Sequence, residues 1–385
     1  MKKLLLAMIM ALGAVVVQAQ STVTIYGILD AGYVGNNYKG ISTSATTNQT
    51  TSSFGQSAQS PSRLGFKGSE DIGGGTSAFF TVETGLTPAS STASSWNNRQ
   101  SFVGIKQNGI GEFAVGTQYT SVFNSLVLTD PGKLNDVVGS VLFPTPSQPY
   151  GNTGSMPYAS ASSSSGDTDA FTVRTTNTLT YKSENVNGFR VGAMYTLNNQ
   201  NQTQTNSTTG GITNYNGYGL NASYEYQKLL ITAAYQALKS YQSAATLTSP
   251  TPSIWSSSSG GTNTQDNQTY VAGTYDFGVV KAYVGWVNRK ATDTLNTSYY
   301  ASRSAQQIGV RGYWTPTIES WASIGSGKYT TYGVGQPTYQ FVGYQVGTNY
   351  WLSKRTNLYA IFGSTQTSTI DVSANGYGVG LRHTF

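Results

Sequence analysis

The chain has 385 residues, with no cysteine, 44 glycines and 27 tyrosines, and only 10% of its residues are charged. A soluble globular domain usually carries about 25% charged residues, so this composition argues against an ordinary soluble protein. The net charge of +6 includes Lys2 and Lys3 at the amino terminus. Such a mild excess does not indicate a protein that binds nucleic acid, and without cysteine there is no disulfide framework.

The amino terminus has the pattern of a secretory signal peptide. Two lysines precede an apolar stretch of about a dozen residues, which ends in Val17-Gln18-Ala19 with small residues at the decisive positions. This pattern predicts a signal peptide over residues 1–19 and one mature domain over residues 20–385. No later segment reaches the roughly 18 apolar residues of a transmembrane helix, so we expect an exported chain without a helical anchor.

The mature chain alternates apolar and polar residues with a period of two, as β-strands do. In the segment 189–197, Phe189, Val191 and Leu197 share a face that excludes Arg190. Such dispersed hydrophobicity suits a transmembrane barrel, in which alternate residues face lipid. A half-buried sheet of a soluble protein would alternate similarly, so the connections between strands must decide.

The connections alternate between short turns and long polar loops. Strand-like runs lie near 22–34, 61–70, 75–86, 98–107, 111–119, 174–184, 188–197, 215–227, 229–240, 267–276, 279–289, 304–314, 319–328, 340–351, 355–365 and 375–385. The long segments are rich in Ser, Thr, Asn and Gly, and cover 35–60, 87–97, 120–173, 198–214, 241–266, 290–303, 329–339 and 366–374. This pattern predicts an all-β fold: a transmembrane antiparallel barrel of about sixteen strands, with short periplasmic turns and long extracellular loops. A barrel of that size leaves an aqueous lumen.

Several motifs resemble the trimeric general porins of Neisseria and other β-proteobacteria. They are STVTIYGILDAG at 21–32, SRLGFKGSEDIGGG at 62–75, NRQSFVGI at 98–105, RTTNTLTYKSENVNGF at 174–189, LSKRTNLYAIFG at 352–363 and GYGVGLRHTF at 376–385. The resemblance implies a sixteen-stranded outer-membrane barrel, a homotrimer, and a third extracellular loop (120–173) folded into the lumen. In that family, basic residues of the wall face acidic residues of this loop. Thr117 stands where the family usually carries arginine.

The charged residues of the strands give candidate sites in the pore. With apolar residues toward lipid, the alternation places several cations and acids in the lumen: Arg63, Lys67, Arg99, Arg174, Arg190, Arg311, Arg382, Glu83 and Glu225. The long third loop contributes Asp130 and Asp136. We expect Arg63, Arg99 and Arg174 to face these two aspartates across the narrowest point, where charges bias ion flow. Any of these groups could equally be a solvated charge in a wide lumen.

Aromatic residues have a second set of expected roles. Trp286, Trp314, Trp351 and Tyr224 suit the interfacial girdles of a barrel or a subunit interface. Phe385, the last residue, resembles the terminal aromatic that barrel-assembly machinery recognises in outer-membrane proteins.

These observations predict a water-filled porin of the outer membrane that passes ions and small hydrophilic solutes passively, with a mild preference for anions. An enzyme is not expected, because the single histidine is His383 and no nucleophile–base motif appears. We predict no metal and no cofactor. The expected partners are two further copies of the chain, outer-membrane lipid and lipopolysaccharide, and barrel-assembly machinery, but no nucleic acid. A solute-specific channel, an adhesin and a structural anchor remain alternatives.

Overall fold

The computed structural model describes residues 21–42, 45–90, 98–144, 170–198, 213–242, 263–333, 338–368 and 372–385. These residues form seventeen strands and one short helix. The elements are β1 (Thr22–Ser42), β2 (Ala45–Gln56), β3 (Arg63–Gly73), β4 (Thr76–Gly85), β5 (Asn98–Gln107), β6 (Gly111–Tyr119), α1 (Ser121–Val127), β7 (Arg174–Ser183), β8 (Phe189–Asn198), β9 (Thr213–Tyr226), β10 (Leu229–Gln242), β11 (Thr264–Asp276), β12 (Val280–Asp293), β13 (Tyr300–Tyr313), β14 (Ile318–Tyr332), β15 (Tyr339–Trp351), β16 (Thr356–Thr367) and β17 (Ser373–Thr384).

The strands form one closed antiparallel sheet with sixteen positions around its circumference. β17 pairs with β1 from Ile28↔Thr384 to Lys39↔Ser373, and this pairing closes the barrel. β2 and β3 share one position, because β2 pairs with the upper part of β1 and β3 with its lower part. The predicted sixteen-stranded barrel is therefore confirmed.

The predicted alternation between lipid and lumen is clearest in β15. Its residues alternate strictly between buried and exposed from Tyr339 to Tyr350. Val342 and Tyr344 point outward and are exposed, whereas Gln345 and Asn349 point inward and are buried. Most described strands have between 9 and 15 residues, enough for the roughly 9–11 residues that a tilted strand needs to cross a bilayer.

One segment that the sequence predicts as a loop is largely a pair of strands. An irregular loop is predicted over 35–60, but β1 continues to Ser42 and β2 pairs with it as far as Ser42↔Ala45. The alternation of Thr, Ser, Asn and Gln in this segment lacks an apolar face. The hydrophobic periodicity that marks the lipid-crossing strands is therefore absent here.

The tight turns are confirmed where glycine permits them. Gly74 and Gly75 connect β3 to β4 at φ values of +63° and +76°, a region that side chains with a Cβ rarely adopt. Asp71 accepts a hydrogen bond from the Gly73 amide at 2.9 Å. The predicted signal peptide, 1–19, and the middle of the third loop, 145–169, lie outside the described residues. No helix in the described ranges is long and apolar enough to span a membrane.

Candidate functional site

The third loop, residues 120–173 (loop 3), enters the lumen as predicted; its described parts are 120–144 and 170–173. It begins with α1, whose cap Thr120 accepts a hydrogen bond from the Phe123 amide at 3.4 Å. A helix of seven residues is too short to be stable alone. It is held because Val122 and Leu126 are fully buried, and α1 contacts β9, β10 and β11.

Glutamines on the inner wall form hydrogen bonds with the backbone of loop 3. Gln236 of β10 accepts from the Val122 amide at 3.0 Å, and Gln307 of β13 accepts from the Val141 amide at 3.0 Å. Gln268 of β11 accepts from the Thr172 amide at 2.7 Å, and Gln345 of β15 donates to the Val138 carbonyl at 3.0 Å. These four side chains are here called the glutamine latch: Gln236, Gln268, Gln307 and Gln345. The latch satisfies buried backbone groups that lie outside any strand ladder.

Glycines on the same half of the wall make room for the loop. A Cβ at Gly309 would lie 2.6 Å from Pro131, and one at Gly285 would lie 2.8 Å from Leu142. At Gly343 and Gly363, a Cβ would collide with backbone atoms of loop 3. These four glycines, Gly285, Gly309, Gly343 and Gly363, are here called the glycine seat. The missing side chains let the loop lie directly against β12, β13, β15 and β16.

Loop 3 leaves a cavity of about 620 Å³ between itself and the wall, lined by residues of β3, β5 and β7 and also of β13, β15 and β17. Seven cationic side chains line the cavity: Arg63, Arg99, Lys133, Arg174, Arg311, Lys354 and Arg382. Among the described residues that line it, the single carboxylate is Asp136. Three further acids, Asp30, Glu83 and Glu319, are buried in the wall, and Asp130 is buried in loop 3, so among the described residues in and around the cavity seven cations outnumber five carboxylates.

Arg63, Arg99 and Arg174 lie on β3, β5 and β7, every second strand of one part of the wall, and are here called the arginine face. Glu83, 3% exposed, lies 2.8 Å from Arg99 and 3.7 Å from Arg63, and it accepts a hydrogen bond from the Tyr26 hydroxyl. One carboxylate thus orders two guanidinium groups while cancelling only one of their charges. The arginine face keeps a positive excess.

The strand of Arg99 alternates poorly because it contains a β-bulge. Glu83 pairs with Gln100 and Thr84 with Asn98, so Arg99 has no partner in the ladder. A bulge redirects the side chain of its extra residue, and Arg99 reaches the cavity for this reason. It also donates to the Tyr119 hydroxyl at 3.4 Å.

Arg174 is held differently from its neighbours. Its side chain is 8% exposed and lies 5.8 Å from the centre of the Tyr119 ring. Its Nε and Nη1 atoms have no hydrogen-bond partner. Buried donors without partners are rare and costly, so these two atoms are an unusual feature of the cavity wall.

Arg311 joins the wall to loop 3. It makes a bidentate pair with Glu319, both distances being 2.6 Å, and donates to the Pro131 carbonyl at 2.6 Å. Lys133 of the loop lies 3.8 Å from the same carboxylate. Burial and the positive charge of Arg311 lower the pKa of Lys133. Arg311 therefore also fixes loop 3 to the wall, whereas the sequence predicted only a charged residue in the pore.

The two predicted loop aspartates lie in different surroundings. Asp136 lines the cavity with the arginine face, and burial raises its pKa to about 7. Asp130, also expected to face the arginines, does not line the cavity. It is 5% exposed, and its carboxylate accepts from the Leu134 amide at 2.8 Å. Burial raises its pKa to about 6. The loop turns around Asp130, so this carboxylate lies on the wall side.

Other candidate residues lie away from this cavity. Lys67 lies 5.5 Å from the centre of the Tyr26 ring, and Arg190 lies 3.8 Å from Glu225, both on luminal positions. Arg190 lines a second cavity of about 630 Å³, together with α1 residue Asn124. Neither cation lines the cavity with the arginine face.

Two aromatic residues have clear places. Phe385 exchanges backbone hydrogen bonds with Gly27 at 3.1 and 3.2 Å, which extends the closure of the barrel to the last residue. Trp351, expected in an interfacial girdle, instead lines the cavity and donates to Glu319 at 3.3 Å. Its position continues the inward alternation of β15, which the turn at 352–355 obscures in the sequence.

The fold, the inward third loop and the charged cavity agree with a comparison to family models. The family described as Gram-negative porin matches residues 5–370. The chain belongs to the Gram-negative porins. It is a β-barrel protein of the outer membrane that crosses the membrane many times.

Curated relatives of this porin support the same assignment. The chain is 39% identical over 139 residues to the major outer membrane protein P.IB of Neisseria meningitidis, covering 35% of this chain and 37% of that protein. The match thus spans little more than a third of that relative's length. An outer membrane porin protein of Bordetella pertussis is 25% identical to this chain. That match covers 100% of this chain and 100% of the Bordetella protein.

The fold of this porin is similar to that of an anion-selective porin from Comamonas acidovorans. The TM-score is 0.70 at 20% identity, with 95% of this chain and 100% of that chain covered. Identity at this level supports the fold alone. Within the described ranges, no group of three or more His, Cys, Asp or Glu residues is placed to hold a metal ion.

Sequence reasoning missed the half of the porin wall that carries loop 3. The glutamine latch and the glycine seat occupy luminal positions of their strands. The available signal was the recurrence of glutamine and glycine at inward positions of β10 to β16, although inward arginines also occur there, on β12 and β13. Small and amide side chains can receive a packed backbone, and the inward arginines of β13 do so as well, since Arg303 donates to the Val141 carbonyl and Arg311 to the Pro131 carbonyl.

Proposed function

We propose that this porin is a passive diffusion channel for ions and small hydrophilic solutes, with a mild preference for anions. The observation that carries the proposal is the cavity, which among the described residues seven cations line with the single carboxylate Asp136. Inside a barrel, loop 3 narrows the aqueous path, and charges close to that path act strongly on ions. The anion selectivity in the printed name of the Comamonas acidovorans porin supports the same sign.

The arginine face supplies the preference in this proposal. Glu83 compensates one of the charges of Arg63 and Arg99, and Arg174 has buried donors without partners. Anions are then concentrated in the cavity, and cations are depleted. Because the cavity has a volume of about 620 Å³ and Glu83 and Glu319 compensate part of its positive charge, the preference is mild and no single solute is selected.

The test is the reversal potential of purified protein in planar bilayers under a potassium chloride gradient. We expect large conductance steps and a reversal potential on the chloride side. Replacing Arg63, Arg99 and Arg174 together by glutamine should lower the chloride-to-potassium permeability ratio several-fold and shift the reversal potential accordingly. The matched control is Arg355→Gln, which removes an exposed arginine from the turn between β15 and β16.

Three results would each contradict a different part of the proposal. Potassium preference of the unchanged porin would reject the anion preference and keep the channel. An equal shift with Arg355→Gln would reject the arginine face as its source. A folded barrel without conductance would reject the channel in favour of an adhesin or a structural anchor.

We further propose the partners and processing that the sequence predicts. The functional unit is a homotrimer in contact with outer-membrane lipid and lipopolysaccharide, which we expect to migrate as a trimer in mild detergent. Residues 1–19 are a signal peptide that is removed before residues 20–385 form the barrel. Barrel-assembly machinery recognises Phe385, and the support for this is its place at the barrel closure. Phe385→Ala should lower the yield of trimer in the outer membrane.

A further inference from the structure

The wall strand formed by β2 and β3 is interrupted by six residues that turn into the lumen. Residues 57–62 stand opposite only Leu29 and Asp30 of β1, because Gln56 pairs with Ala31 and Arg63 pairs with Ile28. We call this segment the inner bulge. It contains Pro61, which cannot donate a ladder hydrogen bond and is therefore confined to edges and bulges. Gln59, Ser60 and Pro61 line the cavity with the arginine face.

Asp30 holds the inner bulge. It is fully buried, and its Oδ2 atom accepts hydrogen bonds from the Gln59 amide at 2.9 Å and the Ser60 amide at 2.7 Å. Its Oδ1 atom accepts from the Tyr359 hydroxyl of β16 at 2.6 Å. The main chain of Asp30 adds contacts, since its carbonyl accepts from the Ser57 amide at 3.0 Å and its amide donates to Ser62 Oγ at 3.0 Å. Charge-assisted bonds of this kind are the stronger ones in proteins.

The inner bulge in turn touches the part of loop 3 that bears the pore carboxylate. The Ala58 carbonyl accepts from the Asp136 amide at 3.0 Å. Ala58 and Val137 pack in one buried cluster with Tyr359 and Ile361. Loop 3 therefore follows the wall from the glutamine latch to the inner bulge, and Val137 contacts both Gln345 and Ala58.

The inner bulge also arranges polar groups of the wall. Ser60 Oγ accepts from Arg382 Nε at 3.2 Å, and Gln59 Oε1 accepts from Asn357 Nδ2 at 2.8 Å. Gln59 also donates to Asn349. The bulge thus connects a cation of the cavity to the amide groups of β15 and β16.

We propose that Asp30 is a positioning residue of the pore, which acts through the inner bulge to fix Asp136 opposite the arginine face. Asp30 does not touch the cavity; its carboxylate orders residues 57–62, and these residues orient the tip of loop 3. The inner bulge is then a second element of the constriction, beside loop 3. The effect on ion flow rests on the proposed channel function, whereas the effect on the loop does not.

The test compares Asp30→Ala with Asp30→Asn. Asparagine keeps an oxygen for the two bulge amides and an NH2 group for the Tyr359 hydroxyl, but it removes the charge. Alanine removes the hydrogen-bonding groups as well as the charge. A positioning role predicts that Asp30→Ala changes the reversal potential and raises the current noise, while Asp30→Asn restores values near those of the unchanged porin.

The position of the loop is measured directly with an engineered disulfide. The chain has no cysteine, so Ala58→Cys with Val137→Cys gives a single cross-link between the inner bulge and loop 3, detected by its shift in electrophoresis. We expect efficient cross-linking in this background and with Asp30→Asn, and a several-fold loss with Asp30→Ala. If Asp30→Ala does not fold, Tyr359→Phe removes one bond to Asp30 and should lower cross-linking by a smaller factor.

The outcomes separate the inference from the proposed function. Undiminished cross-linking in both Asp30→Ala and Tyr359→Phe would overturn the positioning role. Equal electrical changes in Asp30→Ala and Asp30→Asn, with cross-linking intact, would show that the charge of Asp30 acts and would also overturn it. A loss of cross-linking in a porin without anion preference would support the positioning role and reject only the proposed selectivity.

Discussion

Two halves of the same barrel wall use their inward positions in opposite ways. On β3, β5 and β7 the inward side chains include the arginine face, which borders the cavity. On β10 to β16 they include the glutamine latch and the glycine seat, which are covered by loop 3. Both halves have the same outward apolar alternation, so lipid imposes one pattern on both. The difference arises from what the inward residues meet, either water or a packed loop.

The largest expected effect comes from filling the glycine seat. Gly309→Val would place a branched side chain against Pro131, which lies only 2.6 Å from where the Cβ atom would stand. Overpacking of this kind costs about 1–3 kcal/mol, which would displace loop 3 and widen the pore. Single-channel conductance should rise clearly. The matched control is Gly273→Val on the lipid side of β11, where the nearest atom is 3.5 Å away; an equal rise there would show that the seat is not special.

A smaller effect is expected from the glutamine latch. Gln236→Ala leaves the buried Val122 amide without its acceptor, and an unsatisfied buried donor costs about 1–3 kcal/mol. Because α1 also packs through Val122 and Leu126, the loop should stay in place most of the time but fluctuate more. Current noise should increase with little change in mean conductance. If neither the current noise nor the resistance to unfolding by urea changes, the latch does not hold the loop.

Removing the acid of the arginine face should change selectivity without moving the loop. Glu83→Gln keeps the shape of the side chain but leaves Arg63 and Arg99 uncompensated. Chloride preference should rise moderately, opposite in sign to the effect of removing the arginines. Glu112→Gln, on an acid that pairs with Lys182 outside this cavity, is the control. A shift toward potassium with Glu83→Gln would mean that the arginines need this acid to keep their positions.

The smallest expected effect is a pH dependence of selectivity. Burial raises the pKa of Asp136 to about 7, against the lowering effect of Arg99 and Arg63 and with the raising effect of Asp30. The carboxyl group is therefore mostly charged at pH 8 and mostly neutral at pH 6. Anion preference should increase as the pH falls through this window. Asp136→Asn should abolish the change, and a dependence that survives this substitution would assign it to another group.

The barrel could be predicted from sequence because lipid constrains every spanning strand in the same way. The alternation in β15 and β17 and the glycine turn after β3 carry that information locally. Loop 3 could be placed in the lumen only by resemblance. Its own residues do not reveal which wall positions receive it, since the bonds from Gln307 to Val141 and from Gln345 to Val138 join residues far apart in sequence.

The candidate site was predicted unevenly for similar reasons. Arg63 and Arg174 follow from strand parity, and Asp136 from its place in the long loop. Asp130 could not be separated from Asp136, because the direction of each side chain depends on how the loop turns. Strand parity alone also hides the bulge at Arg99 and the inner bulge, since each adds residues without a ladder partner.

The contrast between the two halves of the wall is tested most directly by chemical access from the pore. In this cysteine-free chain, Arg63→Cys and Gln268→Cys would each present one thiol to an anionic methanethiosulfonate reagent during conductance recording. We predict a rapid fall in current for Arg63→Cys, since position 63 lines the cavity. Gln268→Cys should not respond, because position 268 is fully buried beneath loop 3. A block at position 268 as fast as that at position 63 would contradict the account.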